Sequence, residues 1–291
     1  MNTAELAKNV RYIEINTKKA VTATFAGEYA SAFKGRGMEF DEVREYQIGD
    51  DIRTIDWNVT ARTGRLHTKR FVEERELSII FIVDLSASGI FGSGPRTKNE
   101  VAAEICALLA FSAIKNNDRV GLLVFTHAVE RFIAPRKGST HVLRLIREIL
   151  SFTPTGTRTS IRAALESAAG LLKRRAVVFL VSDFLDQGYE RQMKAVGKRH
   201  DLIAISLTDP REKELPAVGL VEFEDAETSE RILVDTASPG ARRDYEKIRM
   251  QHAAALQKFC TSSGIDHIPI TVGEDYVRPL ALFFMERENR M

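Results

Sequence analysis

The sequence is poor in cysteine and has no long apolar run, and each absence argues against a class of protein. Cys106 and Cys260 are the two cysteines among 291 residues. Both lie in apolar helical patterns, so we predict buried free thiols rather than a disulfide or a metal pair. No apolar stretch approaches the roughly 20 residues that a membrane-spanning helix needs, and the amino-terminal residues lack the apolar core of a signal peptide. We therefore expect a soluble, cytoplasmic protein.

The net charge is also small, because 42 lysines and arginines nearly balance 40 aspartates and glutamates. Such a balance gives no indication of a nucleic-acid or membrane surface. The six histidines include no His-x-x-x-His pair, so a zinc site is not expected. What is present instead, 44% apolar and 28% charged residues, is the composition of a globular protein with one large domain or two modest ones.

Short β-branched apolar runs alternate with amphipathic stretches from residue 78 onward. The runs end at Asp84, Phe125, Asp183, Leu207 and Val272. Each run is apolar on both faces, as in strands of a parallel sheet that helices cover. Helical spacing predicts helices over residues 97–115, the segment after Gly138, 160–173 and 244–260. It also predicts a last helix over about 275–287, with Tyr276, Leu280, Leu282 and Phe283 on its buried side. The alternation predicts an α/β fold with a doubly wound, mostly parallel six-stranded sheet and helices on both faces.

Two segments depart from this alternation. Residues 129–133 follow the second strand after a very short turn, which predicts an antiparallel edge strand, and residues 218–235 contain two short runs that predict a hairpin insertion. The first 76 residues hold a helical start and then a polar stretch with too few apolar residues for an independent core. We therefore divide the chain into an extension, residues 1–76, and an α/β domain, residues 77–291, and expect Trp57 to pack against other residues.

Oxygen-bearing side chains cluster where the first predicted strand ends. Asp84 comes at the carboxyl end of that strand, and Ser86 and Ser88 follow at alternate positions. Because open α/β sheets bind ligands at the carboxyl ends of their strands, we expect Asp84 to point into a ligand crevice. The threonine-rich loop 155–159 and the strand-end residue Asp183 offer further oxygen atoms. A carboxylate with hydroxyls suits octahedral Mg²⁺ or Mn²⁺, so the sequence predicts a divalent-metal site.

This constellation resembles the metal-ion-dependent adhesion site (MIDAS) of the von Willebrand factor A domain. In that family, Asp-x-Ser-x-Ser at a strand end is followed by a Gly-Thr loop and by a later strand-end Asp. The metal ligands that the resemblance implies are Asp84, Ser86, Ser88, Thr157 and Asp183. In the second loop, Thr155 and Thr159 stay open as alternatives to Thr157. The resemblance also implies that the strands ending at Asp84 and Asp183 are neighbours.

A second resemblance lies upstream of the sheet. The stretch YQIGDDIRTIDW at 46–57, followed by ARTGRL at 61–66, is similar to a signature of the bacterial domain-of-unknown-function 58 family, in which it precedes a von Willebrand A-like domain. Relatives of that family are often encoded beside MoxR-type AAA+ ATPases. The resemblance therefore implies an adaptor or co-chaperone that binds such an ATPase or its client. The charged residues of this stretch, Arg53, Asp56, Arg62 and Arg65, either form ion pairs between the extension and the α/β domain or present a surface to the partner.

The residue types at the predicted metal site favour binding over catalysis, so we predict a protein that is not an enzyme. Neutral hydroxyls leave a bound cation electrophilic, and a carboxylate from a partner protein would complete its coordination. An Mg²⁺-dependent phosphatase that uses Asp84 as nucleophile is one alternative, but such enzymes want a second Asp two residues on, where this chain has Ser86, and the matching loops lack a lysine. The other alternative is nucleic-acid binding by basic residues between Arg53 and Arg75, where Glu73 and Glu74 also lie.

Overall fold

The computed structural model describes residues 3–21, 25–33, 39–72, 76–156 and 158–290. The strands in these residues are β1 (Glu39–Glu45), β2 (His67–Val72), β3 (Ser78–Asp84), β4 (Arg119–Phe125), β5 (Val129–Arg136), β6 (Val177–Ser182), β7 (Asp201–Thr208), β8 (Leu220–Glu224), β9 (Arg231–Asp235) and β10 (Asp266–Thr271). Six of these described strands form one sheet in the order β10-β7-β6-β3-β4-β5. The strands run parallel except for β5, which is antiparallel to β4. The predicted mostly parallel sheet with its antiparallel edge strand is confirmed.

Helices cover both faces of this sheet. The described helices are α1 (Thr3–Ala20), α2 (Ala26–Ala32), α3 (Trp57–Thr63), α4 (Lys98–Lys115), α5 (Ser139–Leu150), α6 (Ile161–Leu171), α7 (Glu190–Arg199), α8 (Pro210–Lys213), α9 (Pro239–Ser263) and α10 (Val277–Asn289). Ile80 and Ile82 of β3 lie in one apolar cluster with side chains of α6, α7 and α9. Since successive strand residues point to opposite faces, Ile79 and Phe81 face the other side, where α4 contacts the sheet. The predicted two-sided α/β architecture is confirmed.

The predicted helices occur with small shifts at their ends. Helix α9 begins at Pro239, five residues before the predicted start, because Ser238 caps it by accepting a hydrogen bond from the Ala241 amide. It ends before Gly264, whose φ of 66° is the left-handed conformation that favours glycine. In α10 we predicted Leu282 on the buried side, and this was wrong: Leu282 is 47% exposed, whereas Phe284 is fully buried.

The described chain divides into two units, one of residues 1–32 with 77–291 and one of residues 33–76. The larger unit includes the first two helices because α1 packs on α4 and α5, and α2 packs on α10 and α4. The prediction placed those two helices in the extension instead. Both cysteines of the larger unit, Cys106 and Cys260, are buried and free, as predicted. In the part of the chain that the structure describes, no helix has the length and apolar character needed to cross a bilayer.

The smaller unit is an antiparallel pair, β1 with β2, and the short helix α3 lies in the connection between the two strands. Asp56 caps α3 by accepting hydrogen bonds from two backbone amides and lies 3.5 Å from Lys69, and Arg65 pairs with Glu45. Two of the four charged residues singled out in this stretch therefore form ion pairs within the unit. Trp57 does not pack as expected, since 66% of its surface is exposed.

Candidate metal site

The parallel pairing of β3 with β6 brings two strand-end carboxylates to the same edge of the sheet. Val83 of β3 pairs with Val181 of β6, so Asp84 and Asp183 follow neighbouring strands, as the sequence predicted. Both carboxylates are withdrawn from solvent: Asp84 is 8% exposed and the Asp183 side chain 6%. Two buried carboxylates side by side repel each other unless cations or hydrogen bonds compensate them.

Asp84 is held by hydrogen bonds and has no cationic partner among the described residues. Its Oδ1 accepts from the Ser86 amide at 3.0 Å, and its Oδ2 accepts from the Ser182 hydroxyl at 2.6 Å. Burial and the charge of Asp183 raise the pKa of Asp84 to about 7, although the hydrogen bonds from Ser182 and Ser86 act in the opposite direction. Asp84 is thus a buried acid whose charged form lacks a compensating cation.

Ser86 and Ser88 present their hydroxyls together beside Asp84. Ser86 precedes a single 3₁₀ turn, Ala87–Ile90, and is fully buried. Its Oγ lies 3.1 Å from the Oγ of Ser88. Gly89 makes this tight turn possible, because a Cβ atom there would collide with the side chain of Asn99. Adjacent ligands of Mg²⁺ at 2.0–2.1 Å from the ion are roughly 3 Å apart, so the two hydroxyls have the spacing of an octahedral edge.

Asp183 has a cationic partner that the sequence analysis did not identify. Lys98, the first residue of α4, places its Nζ 2.8 Å from Asp183 Oδ2 and 2.7 Å from Glu212 Oε1. The lysine side chain is 3% exposed. Burial raises the pKa of Asp183, but the charge of Lys98 and hydrogen bonds from Lys98, the Leu185 amide and Ser88 together lower it below its ordinary value. Burial likewise lowers the pKa of Lys98, and its two carboxylate partners outweigh that effect and raise it.

The ion pairs of Lys98 continue into a polar network that joins three strand-end loops. Glu212 Oε2 accepts from the Asp209 amide at 2.9 Å, closing a capping box at the start of α8. Asp209 is fully buried and accepts from both the amide and the hydroxyl of Ser93, at 2.8 and 2.5 Å. Arg249 of α9 donates to the Glu212 carbonyl at 2.8 Å. The loops after β3, β6 and β7 are therefore fixed relative to one another.

The second predicted loop is described on either side of Thr157, and Thr157 itself lies outside the described residues. The Thr155 amide donates to the Glu130 carboxylate at 3.0 Å, and the Thr159 hydroxyl donates to Glu227 at 2.5 Å. Gly156 packs so closely on His127 that any side chain would collide with its ring. The structure thus brings Asp84, Ser86, Ser88 and Asp183 together, and the choice among the three threonines stays a prediction.

The chemistry of these groups fits a hard divalent cation that depends on hydroxyl oxygens. The Lys98 ammonium group pairs with the carboxylates of Asp183 and Glu212, and the neighbouring carboxyl group of Asp84 has no cationic partner among the described residues. The Ser86 and Ser88 hydroxyls supply neutral oxygens beside them. Among the described residues, no three His, Cys, Asp or Glu side chains are arranged to hold a metal. Any ion here would therefore be held by one or two acids together with serine hydroxyls.

A cleft of 860 Å³ adjoins this site. Ser88 and Asp183 form part of one wall. The opposite wall is the antiparallel hairpin of β8 and β9, the insertion predicted near residues 218–235, from which Val221 and Phe223 line the cleft. The candidate site therefore opens into a partly apolar recess.

Comparisons with known proteins agree with this architecture. The family described as "Protein of unknown function DUF58" matches residues 42–255. A Mycobacterium tuberculosis (strain ATCC 25618 / H37Rv) protein, "Uncharacterized protein Rv1480", is 30% identical over 288 residues, which cover 98% of this chain and 90% of the relative.

Two solved structures are also similar. An aerotolerance-related membrane protein from Bacteroides fragilis NCTC 9343 has a TM-score of 0.50 at 15% identity and covers 74% of this chain and 100% of its own. The SpRpn10 VWA domain has a TM-score of 0.40 at 10% identity and covers 70% of this chain and 93% of its own. The similarity of fold is therefore judged from the Bacteroides structure, which has the higher TM-score.

Proposed function

Because the chain belongs to the DUF58 family and has a von Willebrand factor A-like fold, we propose that it is a protein-interaction module that binds its partner through a divalent cation. The cation would be Mg²⁺ or Mn²⁺, held by Asp84, Ser86 and Ser88 with Asp183 beside them and Thr157 as the second-loop ligand. When bound, it supplies an electrophilic position for an oxygen ligand. A carboxylate of the partner is the simplest ligand for that position.

The observation that carries this proposal is the burial of Asp84 without a cationic partner in the described chain. A carboxylate withdrawn from water is costly unless a positive charge compensates it. Lys98 compensates Asp183 and Glu212 at the adjoining position. Asp84 instead lies beside Ser86, whose hydroxyl is 3.1 Å from that of Ser88, the spacing of an octahedral edge. A divalent cation would offset the excess negative charge of this cluster.

Binding rather than catalysis is supported by the groups around the site. The hydroxyls of Ser86 and Ser88 are hydrogen-bonded to each other, and no described histidine forms a hydrogen bond with either of them that would activate a nucleophile. The neighbouring lysine, Lys98, is already paired with two carboxylates. We therefore propose that the protein is not an enzyme.

The partner we propose is a MoxR-type AAA+ ATPase or its client, with this chain acting as adaptor or co-chaperone. The support for this choice is the similarity of residues 46–66 to the family signature. The net charge of +2 gives no support for a nucleic acid as the partner.

The test is a pull-down from native lysate with tagged wild type and with the Ser86→Ala/Ser88→Ala variant, each in Mg²⁺ and in EDTA, read by mass spectrometry. We expect an AAA+ ATPase to be retained by wild type in Mg²⁺ and to be lost in the other three conditions. The exposed Ser139→Ala variant serves as a matched control and should retain the partner. The same partners in every condition would contradict a metal-dependent interaction.

One observation favours the phosphatase alternative. The sequence analysis found no lysine in the matching loops, yet Lys98 lies 2.8 Å from Asp183, and a buried lysine beside a strand-end aspartate is a feature of phosphate sites. Ser86, however, occupies the position where such an enzyme needs its acid. Hydrolysis of p-nitrophenyl phosphate that is lost in Asp84→Asn would establish this alternative, and the absence of turnover in Mg²⁺ or Mn²⁺ would dismiss it.

A further inference from the structure

We propose that the cleft between the β8–β9 hairpin and the strand-end loops binds a segment of a partner protein in which apolar side chains are flanked by lysine or arginine. The cleft adjoins the candidate metal site, but this binding needs no cation. The inference therefore goes beyond the proposed function and can be tested separately from it.

The shape and lining of the cleft indicate an apolar occupant. At 860 Å³ it has room for several side chains. Its apolar lining is drawn from four separate segments of the chain: Phe91, Leu185, Leu215, Val218, Val221 and Phe223. In β8, Val221 and Phe223 are half-buried and alternate with Leu220, which is 69% exposed. One face of the hairpin is thus turned to the cleft and the other to solvent.

The hairpin that forms the outer wall is fixed in place. At its tip, Glu227 accepts a hydrogen bond from the Thr159 hydroxyl at 2.5 Å, and Asp225 accepts from the Glu227 and Thr228 amides at 2.7 and 2.9 Å. At its base, the Thr236 hydroxyl donates to the Gly219 carbonyl at 2.7 Å. A preformed wall lowers the entropy cost of binding, because little of the protein must become ordered when the occupant arrives.

The negative charge of the cleft determines which residues should flank the apolar side chains of the bound segment. Six carboxylates line it, and they belong to Asp183, Asp186, Glu212, Glu224, Asp225 and Glu227. Lys98 pairs with two of them, Arg231 pairs with Glu224, and Arg211 is itself part of the lining. These cations offset part of the negative charge of the six carboxylates. An excess of negative charge around an apolar recess is complementary to lysine or arginine beside apolar side chains.

The same charge separates this binding from the proposed metal-dependent interaction. A divalent cation beside Asp84 and Asp183 would cancel part of the negative potential, so a basic segment should bind at least as well in EDTA as in Mg²⁺. The proposed metal-dependent interaction should instead be stronger in Mg²⁺ than in EDTA. The two proposals can therefore fail independently.

The test uses random peptides displayed on phage and selected on the full-length protein in EDTA. We expect the enriched peptides to combine aliphatic or aromatic residues with lysine or arginine. Synthetic copies of them, measured by fluorescence anisotropy, should bind about tenfold more weakly to Phe223→Asn. Leu233→Asn is the matched control, because Leu233 lies on the other face of the hairpin and is 68% exposed; it should bind like wild type.

A second variant tests the charge without disturbing the hairpin. In Asp186→Asn/Glu227→Gln, the new amide oxygens can still accept from the Ile161 amide and the Thr159 hydroxyl. We expect weaker binding of the basic peptides and a shallower dependence on salt. Wild-type affinity in both cleft variants would overturn the proposal. Enrichment in EDTA of acidic peptides, or of peptides without apolar side chains, would also overturn it, and would leave the proposed function standing.

Discussion

At the scale of single residues, Lys98 supplies the positive charge that compensates two carboxylates of the site. It is buried and forms ion pairs with both Asp183 and Glu212. A buried ion pair contributes little net stability when it is intact, since desolvation offsets the attraction. Removing one member is different, because the remaining charges are then buried without compensation. Lys98 therefore determines whether the loops after β6 and β7 can lie together.

Lys98→Met should lower the free energy of unfolding by about 3–5 kcal/mol. The reason is that Asp183 would remain buried, and Glu212 half-buried, without their cation. Urea unfolding in EDTA measures the change. Lys18→Met is the control, because the Lys18–Glu14 pair is exposed and should contribute less than about 1 kcal/mol. Equal stability of wild type and Lys98→Met would refute this role.

Asp209 gives a prediction about pH. Burial raises the pKa of Asp209, but hydrogen bonds from the hydroxyl and amide of Ser93 and from the Arg211 amide lower it below the ordinary value. Its folded pKa is thus lower than its unfolded pKa of about 3.9. The carboxylate therefore contributes stability above the unfolded pKa, and this contribution is lost as the pH falls through the folded pKa.

The Asp209→Asn variant should be less stable than wild type at neutral pH, and the difference should shrink as the pH falls below about 4. Urea unfolding at a series of pH values measures this difference. The exposed Asp244→Asn variant should show no comparable trend. If the difference in unfolding free energy between wild type and Asp209→Asn is the same at every pH, the charge of Asp209 is not what stabilises the network.

At the scale of elements, the last helix is pinned at several points. Phe284 of α10 packs edge-on against Phe25 and Tyr29. Arg287 forms ion pairs with Asp201 at the start of β7 and with Asp266 at the start of β10. A displacement of α10 would have to break these contacts. The structure therefore makes any such displacement costly.

Phe284→Ala should destabilise the protein by about 3–5 kcal/mol, because it opens a cavity among buried rings. Leu282→Ala, two residues away in the same helix, should cost less than about 1 kcal/mol, since Leu282 is 47% exposed. Chemical denaturation of both variants provides the measurement. The reverse order would support the placement of α10 that we expected from the sequence.

The sequence was most informative where strands are buried on both faces. The β3 and β6 segments are continuous apolar runs ending in polar groups, so their positions and the adjacency of Asp84 and Asp183 could be predicted. Helix α7 was not predicted, because Met193 and Val196 are its buried residues and the rest is polar. The role of Lys98 could not be predicted from the sequence either, since it depends on contacts with residues 85 and 114 positions away along the chain.

At the scale of the whole molecule, the first two helices belong to the α/β body. Val10, Ile13, Phe25 and Tyr29 are each less than 9% exposed, and α1 and α2 cover α4, α5 and α10. Their burial is favourable by about 1.5–3 kcal/mol for each large side chain. The larger unit is therefore incomplete without residues 1–32.

A chain lacking residues 1–32 should melt about 10 °C or more below the full chain, because the apolar faces of α4 and α10 would be exposed to water. Differential scanning calorimetry measures the shift. Trp57→Ala is the control: Trp57 is 66% exposed in the smaller unit, so its melting temperature should stay within about 2 °C of wild type. An unchanged melting temperature in the truncated chain would mean that the α/β body is stable alone.

The two edge strands of the central sheet each carry a proline, Pro135 in β5 and Pro269 in β10. A proline has no amide hydrogen to donate to an additional strand, and edge strands that contain it resist edge-to-edge aggregation. The edge strands of this sheet are therefore poorly suited to pairing with strands of other chains. Binding by addition of a partner strand to the sheet is therefore disfavoured, which supports the proposed binding at the loops at the strand ends, where side chains would determine which molecule is accepted.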